Sequence, residues 1–313
     1  MTDLPTVPAA PAEAAAPRRR PGSRVRVSGT DRIFLILMVL IPTIMVVAWV
    51  WLPAIASVTL SFARWSGVGG LDTIEWIGTE NYKNVFTNYP PFAPALRHNV
   101  VWLLFLFVLP TLFGIFLAVL LDRELRGTRF YQTALFLPVV LSLALIGFIW
   151  QLIYSRDQGV LNAVLGTQID WYGDSRWNLW AVLVAAGWRH AGYIMLLYLA
   201  GLKGVDPSLR EAAAVDGASQ VRAFFSVVFP VMRPINIIVL VVTVIEALRA
   251  FDIVWVINKG TNGLELISTL VTANVVGEAS RIGFGSALAT IMLLISLVFI
   301  TIFLSTVMRG ERR

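Results

Sequence analysis

Six long apolar runs separated by polar stretches set the pattern of the chain. They are Ile33 to about Ser57, then roughly Val100 to Leu121, Thr133 to Tyr154, Leu179 to Leu202, Ile235 to Ile257 and Gly285 to Met308. Each is close to the ~20 residues that a helix needs to cross about 30 Å of hydrocarbon, and outside a closed barrel only a helix satisfies its own backbone hydrogen bonds there. The pattern predicts an all-α polytopic protein with six transmembrane helices. Pro42, Pro53, Pro110 and Pro138 fall in or near the runs. Neighbouring helices can re-satisfy a carbonyl freed by proline, so these positions predict kinks and not breaks. Arginines precede the first run and Ala54-Ile55-Ala56 imitates a cleavage site. The run nevertheless exceeds the ~7–15 residues of a signal core, which makes it a span. Residues 1–30, rich in Ala, Pro and Arg without periodicity, predict a disordered tail and leave 31–313 as one transmembrane domain.

Composition agrees with that division: 57% of residues are apolar, 14% are charged, and the mean hydropathy is +0.75. The absence of cysteine excludes disulfides and thiolate ligands. The net charge of +6 is spread over the loops, which argues against a nucleic-acid partner. The larger share of Lys and Arg lies in the N-terminal tail, the 122–132 loop, the 203–234 loop and the C-terminus. By the positive-inside rule both termini and the 203–234 loop are cytoplasmic. No GxxxxGK[ST], HExxH or GxSxG motif occurs, so neither ATP binding at a phosphate loop nor hydrolase chemistry is expected. With two histidines, no metal site or cofactor is expected either.

The 203–234 loop reads as two short helices. The first starts either at Ser208, with Glu211 completing a capping box, or at Asp206 as cap with Pro207 in the first turn. Asp216-Gly217 interrupts it as a turn, and Ser219 can cap a second segment in which Val221, Phe224, Phe225 and Val228 recur at helical spacing. Pro230 and Pro234 close the segment. Ala212, Ala213 and Ala214 allow close approach, so the pair forms a knob suited to a groove. An amphipathic helix resting on lipid is the other reading of the same pattern.

Within the loop, Glu211-Ala212-Ala213, three residues, Gly217, nine residues, then Val227, any residue, Phe229-Pro230 keep the spacing of a cytoplasmic signature. On these residues the chain resembles the binding-protein-dependent ABC importer permeases, with Val and Phe in place of the usual Ile and Leu. The stretches IGTENYKNVF from Ile77, FYQTALFLPVVLS from Phe130, GVLNAVLG from Gly159, YLAGLKGV from Tyr198 and AFDIVWVINKG from Ala250 are similar to the carbohydrate branch, the maltose and glycerol-phosphate type. The last stretch departs from that branch: Asn258-Lys259-Gly260-Thr261 stands where a Thr, two glycines and a proline are common. The resemblance implies the type I importer fold in a bacterial inner membrane. It also implies a coupling role for Glu211, Ala212, Ala213, Asp216, Gly217 and Pro230, which would dock in a nucleotide-binding subunit. A second, different permease chain and an extracytoplasmic sugar-binding protein would complete the assembly.

Ionisable residues inside a bilayer are costly and mark candidate sites. In the fourth run Trp188, Arg189, His190 and Tyr193 offer aromatic and hydrogen-bonding groups suited to sugars. In the fifth, Glu246, Arg249 and Asp252 recur every three residues and so share one helix face. The alternatives are an ion pair of Arg249 with its two flanking carboxylates, and an interfacial belt at Trp188 to His190. The resemblance places sugar-contacting positions at Arg189, His190, Tyr193, Arg249 and Asp252. His98, at the head of the second run, reads as interfacial. A different function class, an autonomous secondary transporter, would use Glu246 or Asp252 for proton coupling, although no inverted repeat is visible.

Overall fold

The computed structural model describes residues 28–123, 126–277 and 280–311, with the side chains of 303, 304 and 306–311 excepted. Most of the predicted N-terminal tail, residues 1–27, lies outside the described residues. The chain divides into two units, the first ending at Pro53 and the second beginning at Ala54.

Helix α1 (Gly29–Val46) passes through a π-helical stretch, Val47–Trp51, into α2 (Leu52–Leu60). In the second unit a polar excursion follows. Strands β1 (Ala63–Arg64) and β2 (Glu75–Trp76) pair antiparallel, with Arg64 bonded to Glu75 at 2.9 Å, and α3 (Glu80–Thr87) packs beside them. Asn81 ties this excursion together by donating to the carbonyls of Ser61 and Ala63.

Helix α4 (Phe92–Leu121) continues unbroken through Pro110. It buries one stripe, Trp102, Leu106, Pro110, Gly114, Ala118 and Leu121, whose three- and four-residue spacing is that of a single helix face. That stripe meets α8 (below). Gly114 lets the two backbones approach, because a Cβ there would sit 2.7 Å from the Ala191 carbonyl oxygen.

The third predicted span is two helices, α5 (Thr128–Val140) and α6 (Leu143–Ile153), bent by 103°. Pro138 therefore precedes a true bend, more than the kink predicted. Leu141 and Ser142 are extended, and the Ser142 hydroxyl accepts from the Leu145 N–H, so a new N-cap starts α6. Helix α7 (Val160–Leu165) leads to α8 (Asn178–Lys203), the most deeply buried of the long helices.

The 204–232 segment carries α9 (Pro207–Val215), α10 (Gln220–Ala223), a π-helical stretch Phe224–Val228, and α11 (Phe229–Val231). The fifth predicted span is also divided, into α12 (Arg233–Leu248) and α13 (Asp252–Asn258). The Ala250 carbonyl, in the break, is captured by the Ser268 hydroxyl. Helices α14 (Ile267–Val275) and α15 (Ile282–Glu311) complete the fold and pack on each other.

Among the described residues four helices are long and apolar enough to cross a bilayer, and the bent α5–α6 pair makes a fifth. The run expected as the remaining span is the divided α12–α13. The architecture is all-α and compatible with the six predicted apolar runs.

Candidate functional site: a charged cavity and an exposed helical knob

The break between α12 and α13 changes the geometry expected of the intramembrane charges. Arg249 caps α12 and Asp252 opens α13, so Glu246, Arg249 and Asp252 do not lie along one continuous helix face. Nor does Arg249 pair with its flanking carboxylates. Glu246 instead reaches across to α8, where Arg189 Nη1 stands 2.8 Å from Oε1 and His190 Nδ1 stands 2.8 Å from Oε2. A carboxylate only accepts, so Nδ1 carries the proton in that bond. His190 Nε2 meets the Thr243 hydroxyl at 3.1 Å, and Thr243 in turn donates to the Val239 carbonyl. His190 is 1% exposed. A buried charge needs a partner and hydrogen bonds on its remaining sites, and this network supplies both.

Arg189, Glu246, Arg249 and Asp252 nevertheless line one cavity of about 180 Å³. Trp102 and Leu106 of α4, Leu143 of α6 and Phe251 in the break form its apolar walls. Arg189 Nε is buried with no hydrogen-bond partner among the described residues. Arg249 and Asp252 are exposed. His190 stands behind the cavity and holds Glu246. Trp188 is 41% exposed and meets Trp150 edge-on at 5.8 Å, while Tyr193 packs in the apolar cluster around Ile194, Tyr198 and Leu202, so neither lines the cavity. His98 is buried, and its Nδ1 donates to the Glu265 carbonyl at 2.9 Å. Among the described residues no three His, Cys, Asp or Glu side chains gather as metal ligands.

Sequence reasoning missed Thr243, Trp102, Leu106 and Phe251. Thr243 had a weak signal, a hydroxyl one helical turn before Glu246 in an apolar run. The other three are apolar residues with no sequence mark to separate them from packing positions.

The knob between α8 and α12 forms largely as its local sequence predicts. Of the two predicted starts, the Asp206 cap is the one present. Its carboxylate accepts the Ser208 N–H at 2.9 Å with Pro207 in the first turn, and that bond holds the Asp206 carboxyl below its ordinary value. The α9 helix ends in a Schellman turn: Ala218 N–H reaches the Ala213 carbonyl, Gly217 N–H reaches that of Ala214, and Gly217 has φ +76°. Ser219 caps α10 through the Arg222 N–H. Pro230 offers no N–H to the Ser226 carbonyl and crowds it, which accounts for the widened π turn just before it.

Glu211, Ala212, Asp216, Gly217 and Pro230 are exposed, and Ala213 is buried. The predicted apolar stripe is divided: Val228 turns into the core, Phe224 is half-buried, and Val221 and Phe225 face outward, 68% and 64% exposed.

A polytopic helical membrane protein with an exposed helix-turn-helix between two of its apolar helices has the build of a transport subunit. Residues 111–310 match the family described as "Binding-protein-dependent transport system inner membrane component", and the chain belongs to that family. It is 33% identical over 255 residues to the probable ABC transporter permease protein YesP of Bacillus subtilis, covering 78% of this chain and 80% of that one. It is 31% identical to the xylose/arabinose import permease protein XacH of Haloferax volcanii, covering 76% of each. Among solved structures, a bacterial ABC transporter involved in import of the acidic polysaccharide alginate superposes with a TM-score of 0.76. There the identity is 20%, and 89% of this chain and 96% of that chain are covered. That likeness establishes the shared fold.

Proposed function

We propose that the chain is the permease subunit of an ATP-driven importer of a carbohydrate, a di- or oligosaccharide or a related polyol derivative. The observation that carries the reading is the exposed Glu211–Gly217 limb, closed by a glycine turn and presented inside the family-matched region. Its small exposed side chains suit a groove in a nucleotide-binding subunit, and the chain has no phosphate loop of its own. A second, different permease chain supplies the other wall of the pathway, and an extracytoplasmic binding protein delivers the sugar. Both termini and the knob face the cytoplasm, following the distribution of Lys and Arg. The carbohydrate class rests on relatives such as XacH and the arabinooligosaccharides transport system permease protein AraP of Halalkalibacterium halodurans.

In this reading Arg249 and Asp252, exposed on the cavity and outside any ion pair among the described residues, contact substrate hydroxyls. Phe251, half-buried on the cavity, presents apolar surface to the sugar's C–H faces. The Arg189–Glu246–His190 network positions α8 against α12. Proton coupling through Glu246, which an autonomous secondary transporter would require, has little support, because both oxygens of that carboxylate are already engaged, by the Arg189 guanidinium and by the His190 ring.

Purification of the tagged chain from mild detergent, with mass spectrometry of what accompanies it, tests the proposal. The expected result is a second permease and a Walker-motif ATPase, with the ATPase lost in Gly217→Trp. Recovery of the chain alone would overturn it.

A further inference from the structure

The exposed limb of the knob has few apolar anchors. In α9 only Ala213 is buried, and Val215 is 88% exposed. Between the knob and the ends of α4 and α8 lies a cavity of about 360 Å³, lined by residues that include Val119, Asp122, Arg210, Ala214 and Phe224. Polar contacts span it. Asp122, the residue that caps α4, is 12% exposed at its side chain; its Oδ2 takes Arg210 Nη1 of α9 at 2.7 Å and its Oδ1 takes Lys203 Nζ at the end of α8 at 3.3 Å. Arg210 also donates to the Leu202 carbonyl at 3.1 Å. The next residue, Arg123, donates to Gln220 Oε1 of α10 at 2.9 Å. Two successive residues at one helix end thus hold the two limbs of the knob separately.

We infer that Asp122 is a positioning residue that fastens the knob to α4, so that a displacement of the knob moves α4 as one body. The inference rests on the reading of the knob as the ATPase docking element. Arg210 precedes Glu211, so the clamp grips α9 directly beside its exposed docking face. A charge-assisted bond is short and directional, and here it acts where apolar packing is interrupted by the cavity. Helix α4 then carries the displacement to Trp102 and Leu106 on the wall of the charged cavity, about 30 Å away at 1.5 Å per residue. An unbroken helix, close-packed on α8 through Gly114, suits that task better than the divided α5–α6 or α12–α13.

The chain has no cysteine, so labels can be placed singly. Cysteines replacing Val215 on the knob and Leu109 on α4, both exposed, carry spin labels in the complete complex. Their distance is measured without nucleotide and after trapping with ATP and vanadate. The expected result is one distance common to both states in the parent. In Asp122→Asn the distance shifts or broadens on trapping, although the ATPase is retained. Asp122→Glu, which keeps the carboxylate, behaves as the parent. Arg210→Met removes only the partner arm and carries the same expectation as Asp122→Asn, which covers a failure of the Asp122 variant to assemble. Unchanged distances in Asp122→Asn or Arg210→Met, or a parent distance that itself changes on trapping, would overturn the inference. Absence of any ATPase from the parent complex would instead overturn the docking reading on which it rests.

Discussion

The knob and the charged cavity are built by opposite means. Every turn and cap of the knob is made by residues within five positions of each other: Asp206 with Ser208, Ala213 with Ala218, Ser219 with Arg222. The cavity network joins Arg189 and His190 to Glu246 and Thr243 on another helix, more than 50 residues away in the chain. Local bonds shape the turns and caps of the knob, and leave its outer face exposed. Cross-helix bonds exist only once α8 and α12 are packed, so the cavity charges report on assembly as much as on transport.

The sharpest way to break this comparison is at Gly217. Its φ of +76° suits glycine, and nothing lies within 4 Å of where a Cβ would be, so a larger residue meets solvent or a partner and not the chain itself. Gly217→Trp is expected to abolish uptake and ATPase co-purification while leaving the chain inserted and monodisperse by size-exclusion chromatography. Aggregation of the variant would show that the turn is structural and would erase the distinction.

Glu246→Ala acts on the other region. It leaves Arg189 without its counter-charge and His190 Nδ1–H without its acceptor in a part-buried site, a loss expected to cost about 3–5 kcal/mol and to lower the detergent-state melting temperature markedly. An unchanged melting temperature would mean that the network does not hold the two helices. Asp252→Ala should then separate the cavity's roles. The residue is exposed and outside any ion pair among the described residues, so transport is expected to fall with normal assembly and thermal stability. A fall in stability equal to that of Glu246→Ala would place Asp252 in the packing network instead.

Thr243→Val removes one hydroxyl from His190, an expected cost of about 1–3 kcal/mol for an unsatisfied buried polar group, smaller than that of Glu246→Ala and readable in the same melts. The smallest effect concerns the Asp206 cap. A carboxyl held below its ordinary value contributes stability that is complete above the unfolded-state value and is lost as pH falls through the lower folded-state value. Hydrogen exchange at the Ser208 amide should therefore be protected at neutral pH and lose that protection only in acid below the usual carboxylate range. In Asp206→Asn the pH dependence is expected to vanish.

Much of this is legible in the sequence. Glu211-Ala212-Ala213 and Gly217 mark the knob by spacing, and Asp206, Pro207, Gly217 and Ser219 act through intrinsic backbone preferences that need no tertiary partner. The two divided spans were not legible, because hydropathy registers apolar length and is blind to direction. Ser142 becomes a cap only where the chain turns, and the Ala250 carbonyl in the break finds its donor in the Ser268 hydroxyl, 18 residues further along the chain. For the same reason the regular spacing of Glu246, Arg249 and Asp252 misled: the three-residue rule holds on an unbroken helix, and this one stops at Leu248.

The sequence by itself determined that the chain is helical, membrane-embedded and equipped with a glycine-hinged knob. Apolar run length, cap chemistry and φ preference are properties of short segments. Tertiary structure alone decided which charges neutralise one another, which remain open to the cavity, and that Asp122 and Arg123 hold the knob. Each of those outcomes depends on distances between groups far apart in the chain, and packing has to set those distances before any electrostatic preference can act.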